Sequence, residues 1–147
     1  MKLIEIETDK KRFLPLLLLA DEQESMIDRY IDRGAMWALD DGGIKAVCIV
    51  TDEGDGRLEI KNIAVEPQYQ RMGYGRAMIA AILGQYADTH TVVSVGTGDS
   101  PLTVPFYEAC GFRRSHIVKN FFVDHYDHPI VEAGKQLTDM IYFKREM

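Results

Sequence analysis

Residues 65–77 read Val-Glu-Pro-Gln-Tyr-Gln-Arg-Met-Gly-Tyr-Gly-Arg-Ala and mark the point where a strand gives way to a helix. The first N–H groups of a helix lack partners within the helix and carry the positive end of its dipole, so they can hold an anion. Gly73 and Gly75 let oxygen atoms approach this backbone, and Arg71 and Arg76 add charge suited to phosphate. The stretch therefore predicts a pyrophosphate site.

Two common pyrophosphate motifs do not fit this loop. A nicotinamide site requires Gly-x-Gly-x-x-Gly directly after a buried strand, and a nucleotide triphosphatase requires Gly-Lys-Ser/Thr at the end of its loop. The chain instead has Gln70-x-x-Gly73-x-Gly75, preceded by Ile63-Ala64-Val65. The motif thus indicates a pyrophosphate ligand of another kind.

Upstream of the loop, apolar periodicity predicts one helical region and several strands. The predicted elements are a strand at 3–6, a two-piece helical region at 10–33 that Gly34 ends, and strands at 35–40, 44–51 and 58–65. The second helical piece has one apolar face, formed by Met26, Ile27, Tyr30 and Ile31. Asp41-Gly42-Gly43 is a strong hairpin signal, so three successive antiparallel strands lead into the loop.

Downstream of the loop, the pattern alternates between helix and strand. The predicted elements are a helix at 72–87, a strand at 91–95, a helix capped by Asp99 or Ser100 with Pro101 first and Gly111 just past its end, and strands at 117–123 and 139–144. A strand–helix–strand crossover makes the strand at 91–95 parallel to the strand ending at Val65. The predicted fold is α/β of the α+β type: a mixed, mostly antiparallel sheet with one central parallel pair, flanked by helices.

Composition is that of a globular protein, and residues 1–147 are expected to form a single domain. The chain has 17 Lys+Arg against 23 Asp+Glu, a net charge of −6, which argues against nucleic acid as a partner. Residues 21–55 alone hold ten acids and three bases, a local charge of −7. No apolar run is long enough to cross a membrane, so no membrane partner is expected, and the two cysteines are too few for a disulfide framework. A cytoplasmic location is therefore expected.

The loop motif, in this context, resembles the signature of the GNAT superfamily of acyl-CoA-dependent N-acetyltransferases, Gln/Arg-x-x-Gly-x-Gly/Ala after a strand. Residues 105–112, Pro-Phe-Tyr-Glu-Ala-Cys-Gly-Phe, are similar to the family's second motif, an aromatic-Tyr pair on a helix before a Gly-Phe strand start. Residues further on, from Asn120 to Ile141, are similar to a small bacterial subgroup. The resemblance covers nearly the whole chain, from Leu3 to Lys144.

The resemblance implies that the parallel strands splay apart and hold the arm of acetyl-CoA between them, paired with main-chain groups as an added strand would be. The thioester carbonyl would lie near the Val65 N–H, which could stabilise an oxyanion. The implied cofactor contacts come from the loop and its flanks: Ile63, Ala64, Val65, Gln70, Arg71, Met72, Gly73, Tyr74, Gly75, Arg76, Ser100 and Tyr107. Relatives usually have Asn where this chain has Asp99, so cofactor contact and a plain N-cap are both open for this acid.

Two residues are candidates for proton transfer during attack of an amine on the thioester. Glu59 lies six residues before Val65, and a period of two places both side chains on one face of the strand. Relatives with Glu here use it to take the amine proton, directly or through water; the alternative is a solvated strand residue. Tyr107 has an unperturbed pKa near 10, above that of a thiol, so it can remain protonated and donate its proton to the leaving thiolate; the alternative is a helix-face packing residue.

The sequence therefore predicts an acetyl-CoA-dependent N-acetyltransferase that works through a ternary complex, without metal and without a covalent enzyme intermediate. Cys110 is a formal candidate for a covalent route, but no His is placed beside it. His116, His125 and His128 suggest a surface loop rather than a metal site, because no third ligand is placed. A non-catalytic acyl-CoA-binding sensor or interaction module is the alternative function.

The acceptor is not encoded in any motif. The candidate acceptors include small amines, aminoglycosides, polyamines and protein amino groups. The resemblance also implies that a homodimer is possible, because dimers are common among the relatives. In relatives the helical part of residues 21–55 forms one wall of the acceptor site. The acidity of this segment therefore suggests a cationic acceptor, with a solvated helix face as the alternative.

Overall fold

A seven-stranded sheet forms the frame of the computed structural model, which describes residues 1–147. Its strands are β1 (Lys2–Ile6), β2 (Ala35–Asp40), β3 (Ile44–Gly54), β4 (Arg57–Val65), β5 (Val92–Gly98), β6 (Arg113–Val118) and β9 (Met140–Glu146). Between β6 and β9, the strands β7 (Val131–Glu132) and β8 (Lys135–Gln136) form a small separate hairpin. The spatial order is β1-β2-β3-β4-β5-β9-β6. All neighbours are antiparallel except β4 and β5, which are parallel, so the predicted mixed sheet with a central parallel pair is confirmed.

Helices cover both faces of this sheet. They are α1 (Leu14–Ala20), α2 (Glu24–Ile27), α3 (Tyr74–Tyr86), α4 (Val104–Ala109) and α5 (Phe121–His125), with single 3-10 turns at Lys10–Phe13 and Pro67–Tyr69. Alternate residues of β2 separate the two cores: Met36 packs with α1 and α2, and Trp37 packs with α3 and α4. None of the helices is long and apolar enough to cross a membrane.

The helical region at 10–33 is more broken than the sequence predicts. Only α1 and the short α2 are regular, and the chain from Asp28 to Gly34 continues as turns. The predicted apolar face is nevertheless buried, with Met26, Ile27, Tyr30 and Ile31 all in the core. Burial of this face, rather than helix length, therefore fixes the segment against the sheet.

The parallel pair is joined over only half its length. Pairing runs from Arg57 opposite Val92 to Ile60 opposite Val95, and β4 and β5 diverge beyond these residues. Both strands continue past that point, β4 to Val65 and β5 to Gly98. A gap therefore opens in the middle of the sheet, as the resemblance implies.

Strand β4 contains a bulge at Lys61. On β3, Val50 lies opposite Ile60 and the next residue, Ile49, lies opposite Asn62, so Lys61 is an extra residue without a partner position. A bulge of this kind breaks the strict alternation of side chains. The side chains before Lys61 therefore alternate between the two faces of the sheet in the opposite phase to the side chains after it.

The expectation that Glu59 and Val65 share a face is wrong because of this bulge. Ile60 and Val65, five residues apart, both pack in the core beneath α3, and Ala64 belongs to the core on the opposite face. Glu59 precedes Ile60 directly and therefore lies on the face away from the Val65 side chain.

The predicted second helix begins later than expected. Helix α4 starts at Val104, with Thr103 at the N-cap and Pro105 in its first turn, so the expectations of a cap at Asp99 or Ser100 and of Pro101 in the first position are wrong. Residues 101–103 form a turn instead. The end of the helix is as predicted: Gly111 has φ +87°, its N–H bonds to Glu108 O, and the Phe112 N–H bonds to Tyr107 O, which is the Schellman pattern.

The strand predicted at 117–123 is also displaced. The strand is β6, and after Val118 the chain turns through Asn120, at φ +57°, into α5. Left-handed Asn is a local feature that an apolar pattern does not reveal. The hairpin of β7 and β8 follows and was not predicted. A small core of Phe122, Ile130 and Leu137 holds these parts together.

Candidate active site

A single cleft of about 850 Å³ occupies the gap between the diverging halves of β4 and β5. One wall is the loop before α3, and the other carries Tyr107 of α4. The cleft continues across the sheet to the end of α1 and to the hairpin of β7 and β8. One continuous space therefore joins the predicted anion site to the opposite side of the molecule.

The loop before α3 offers a row of free N–H groups. No backbone acceptor bonds the N–H groups from Arg71 to Arg76; the next one, of Ala77, bonds to Gly73 O. Arg71 and Gly73 have left-handed backbone angles, φ +63° and +91°, which curve the successive N–H groups into a concave nest. The nest is an anion-binding shape, as the sequence predicts.

Side chains fix the nest against its neighbours. Gln70 donates from Nε2 to Val65 O at 3.2 Å, and Tyr74 donates its hydroxyl to Asp41 at 2.8 Å. Arg76 donates from Nη2 to Ala109 O at 3.0 Å, at the carbonyl end of α4. A Cβ at Gly75 would lie 3.2 Å from the Phe106 ring, so glycine permits this close packing.

The main chain of β4 turns alternate N–H groups toward the gap. Glu66 donates its N–H to Lys45 O on the β3 side, so the preceding N–H of Val65 points away from β3 and toward the gap. The same alternation directs the Ile63 N–H to the gap and the Ala64 N–H to β3. Of the three predicted main-chain contacts, those of Ile63 and Val65 have this orientation.

Tyr107 lines the middle of the cleft while its ring is buried. Only 6% of the residue is exposed, and the ring packs edge-on against Phe106 and Phe112. Its hydroxyl makes no hydrogen bond within the chain. Burial raises the pKa of the phenol above its usual range, and the nearby thiols and Glu132 add to the shift. Tyr107 is therefore a protonated, unengaged donor at neutral pH.

Glu59 does not line the cleft. Its Oε2 forms an ion pair with Lys61 at 2.7 Å and accepts the Tyr142 hydroxyl at 3.0 Å. Lys61 does line the cleft. Glu59 is therefore connected to the cleft through its neighbour and not by direct contact.

Most of the other predicted residues line the cleft, and the side chains of three do not. The cleft is lined by Ile63, Ala64, Val65, Gln70, Arg71, Gly73, Tyr74, Gly75 and Arg76. The Met72 side chain points to solvent, with 65% of the residue exposed, but its N–H is one of the free groups of the nest. Ser100 is buried and accepts the Leu102 N–H at 3.1 Å, which makes it a local turn residue. Asp99 forms an exposed ion pair with Lys135 at 3.1 Å.

Sequence reasoning missed the groups at the far end of the cleft. Asp21, Asn62, Tyr126 and Glu132 line it there. Asp21 accepts hydroxyls from both Tyr30, at 2.8 Å, and Tyr126, at 2.7 Å. Burial raises the pKa of the Asp21 carboxyl. Asn62, a polar residue inside an apolar strand, is a second signal of this end in the sequence, beside the acidic segment that begins at Asp21.

The three histidines are spread over different surroundings. His116 stacks on Tyr142, His125 lies against Phe121, and His128 sits between Asp127 and Glu22. No group of three or more His, Cys, Asp and Glu side chains is close enough to hold a metal ion.

Comparison with known proteins gives a consistent class. The family described as "Acetyltransferase (GNAT) domain" matches residues 32–114. A Bacillus subtilis protein named uncharacterized N-acetyltransferase YvbK is 37% identical over 136 residues, which span 86% of this chain and 83% of that protein. The residues that the family matches include the nest and Tyr107.

Solved structures agree with this match along the full chain. A GNAT family acetyltransferase from Elizabethkingia anophelis, with acetyl-CoA bound, has a TM-score of 0.93 and 30% identity, with 99% of this chain and 97% of that chain covered. A Bacillus subtilis acetyltransferase in complex with CoA has a TM-score of 0.89 and 28% identity over 99% and 98% of the two chains.

Fold, nest and matches together define an acetyltransferase. The chain belongs to the GNAT family, and it is a GNAT-type N-acetyltransferase. The resemblance inferred from the motifs at 70–75 and 105–112 is thus confirmed.

Proposed function

We propose that this enzyme transfers the acetyl group of acetyl-CoA to a primary amine of a small cationic acceptor, by direct attack in a ternary complex. The observation that carries the proposal is the single cleft, which has the N–H nest and Arg71 at one end, Tyr107 in the middle and carboxylates at the other. Anion and cation would enter from opposite ends and meet at Tyr107. The acetyl-CoA-bound and CoA-bound relatives support the choice of co-substrate.

The residues present suit acetyl-CoA. The free N–H groups from Arg71 to Arg76 would hold its pyrophosphate, with charge from the two arginines. The Ile63 N–H, which points into the gap, would pair with the arm as in an added strand. Val65 N–H would also donate to the thioester oxygen as negative charge develops there, the effect that is usually largest in acyl transfer.

Tyr107 is proposed as the general acid. As the amine nitrogen bonds to the acetyl carbon, the carbon–sulfur bond breaks and the electron pair stays on sulfur. Tyr107 donates its phenolic proton to this sulfur, which prevents the thiolate from attacking in reverse. The support is its burial, its place in the cleft and its unengaged hydroxyl.

Glu59 is proposed as the group that receives the amine proton, through water, because its carboxylate does not contact the cleft directly. Lys61 and Tyr142 hold that carboxylate in place. A positioned carboxylate of this kind contributes as a general base.

Turnover of acetyl-CoA across a panel of mono-, di- and polyamines, aminoglycosides and a peptide with a free N-terminus tests the function. Tyr107→Phe should lower kcat by about 100-fold, as loss of one general acid does, with CoA affinity unchanged. Tyr69→Phe, which removes a hydroxyl outside the cleft, is the matched control and should keep wild-type kcat.

Two results would contradict the proposal in different ways. Unchanged kcat in Tyr107→Phe would remove this residue from the chemistry. Background turnover for every amine, with CoA still raising the melting temperature, would favour the acyl-CoA-binding module.

A further inference from the structure

The carboxylate of Glu59 is held by one oxygen and is free at the other. Both of its partners, Lys61 at 2.7 Å and the Tyr142 hydroxyl at 3.0 Å, contact Oε2. No group of the chain donates to Oε1, and this oxygen is not one of the chain's buried unpaired atoms. Since 12% of the side chain is exposed, water can reach Oε1. Oε1 is therefore the oxygen that can exchange a proton with a water molecule.

Tyr142 reaches Glu59 across an intervening strand. Gly96 of β5 lies opposite Tyr142 of β9, and β4, which carries Glu59, is the next strand beyond β5. A Cβ at Gly96 would lie 3.0 Å from Cζ of the Tyr142 ring, the atom that bears the hydroxyl. The ring therefore crosses β5 at a residue without a side chain, and a larger residue there would force the ring to shift.

His116 packs on the same ring from the other neighbouring strand. It lies opposite Tyr142 on β6, and its imidazole stacks on the phenol ring with centroids 4.6 Å apart and 5° between the planes. Gly96, Tyr142 and His116 thus form one row across β5, β9 and β6. Stacking and close packing of this kind restrict the position of the ring, and with it the direction of the hydroxyl.

The environment of Tyr142 keeps its hydroxyl protonated. Burial raises the pKa of this phenol above its usual range, and the negative charges of Glu59 and Glu53 add to the shift. Tyr142 therefore donates to Oε2 throughout the neutral range. The charged and titratable groups around the Glu59 carboxylate come from four strands, β3, β4, β9 and β6: Glu53, Lys61, Tyr142, Lys144 and His116.

A donor fixed on one oxygen favours the charged carboxylate and limits its rotation. We infer that Tyr142 is a positioning residue: by holding Oε2, it presents Oε1 of Glu59 to the water that carries away the proton of the attacking amine. The amine gives its proton to this water as the water gives one of its own to Oε1, so the carboxylate ends neutral. This inference rests on the proposed base role of Glu59 and adds Tyr142, with Gly96 and His116 fixing its ring.

Tyr142→Phe tests the inference, because it removes the hydroxyl and keeps the ring that stacks on His116. A carboxylate that has lost a donor should be half-protonated at a pH about 1 unit higher than in the wild type. Carbon-13 NMR of protein labelled at the glutamate carboxyl carbons measures this midpoint, and loss of one signal in Glu59→Gln identifies Glu59. The acidic limb of the kcat/KM profile, at saturating acetyl-CoA, should move in the same direction by the same amount.

Tyr69→Phe is the matched control. It also removes one hydroxyl, and Tyr69 lies outside the cleft, edge-on to Tyr74. Both the midpoint and the acidic limb should stay at their wild-type positions in this variant, and melting temperatures verify that all variants are folded. The wild type and both phenylalanine variants keep His116, so titration of this imidazole is common to all three profiles.

The two measurements separate this inference from the proposed function. If Glu59→Gln alters the pH profile while Tyr142→Phe leaves both midpoint and limb unchanged, the positioning role alone is overturned. A midpoint that moves without the limb would show that Glu59 is not the base, and the base role and the inference would fail together. Background turnover for every amine would remove the transfer reaction itself, and the inference with it.

Discussion

The bulge at Lys61 decides on which face of the sheet Glu59 lies. If Lys61 were a regular strand position and not a bulge, strict alternation would place Glu59 beneath α3 with Val65. With the bulge, Glu59 lies on the other face of the sheet, where Tyr142 and Lys61 can reach its carboxylate. The bulge thus places the carboxylate on the face of the sheet away from the Val65 side chain.

Glu59→Gln should lower kcat/KM mainly at low pH. A primary amine, with an ordinary pKa near 10, is mostly protonated there and needs a group to take its proton. At high pH the amine arrives neutral, and wild type and variant should converge. The measurement is a pH profile of kcat/KM at saturating acetyl-CoA. A variant profile parallel to that of the wild type would rule out the base role.

At the scale of elements, two glycines have opposite roles. Gly34 ends the α2 region against β3, and a Cβ there would lie 2.7 Å from Val50 O and 2.8 Å from a methyl of Ile49. Gly84 lies inside α3, and a Cβ there would meet nothing within 4 Å. Packing therefore excludes a side chain at Gly34, whereas Gly84 has room for one.

Gly34→Ala should lower the free energy of unfolding by about 1–3 kcal/mol, because the added methyl is forced against a neighbouring strand. Gly84→Ala should raise it by about 0.5–1 kcal/mol, through the better helix propensity of alanine. Urea unfolding of the two variants beside the wild type measures both. Destabilisation of similar size in both would refute the argument from packing.

Elements defined by local chemistry could be predicted from the sequence, and those defined by tertiary contacts could not. The hairpin at Asp41-Gly42-Gly43, the nest at 70–76 and the end of α4 at Gly111 all follow from residues that demand a particular backbone. The late start of α4, the shortness of α2 and the hairpin of β7 and β8 depend on packing against the sheet. The nest, being local, could therefore be predicted from the sequence, whereas the contacts at the far end of the cleft could not.

Across the whole molecule, the acidic segment at 21–55 is divided between structural pairs and the cleft. Glu24 and Asp28 pair with Lys11, and Glu53 pairs with Arg33. Only Asp21 and Glu22 from this segment line the cleft, where they join Glu132. The charge that lines the cleft is thus smaller than the sequence total suggests, and it is concentrated at one end.

This charge should make the KM for a cationic acceptor rise several-fold between about 0.1 M and about 1 M salt, as the screening length falls from about 10 Å to about 3 Å. Glu22→Gln should weaken that dependence, because it removes one of the cleft charges. Asp32→Asn, an exposed acid of the same segment outside the cleft, should keep the wild-type dependence. The measurement is the KM for diaminobutane over a salt series at saturating acetyl-CoA. Equal salt dependence in all three proteins would show that the segment acts as a solvated surface and does not attract the acceptor.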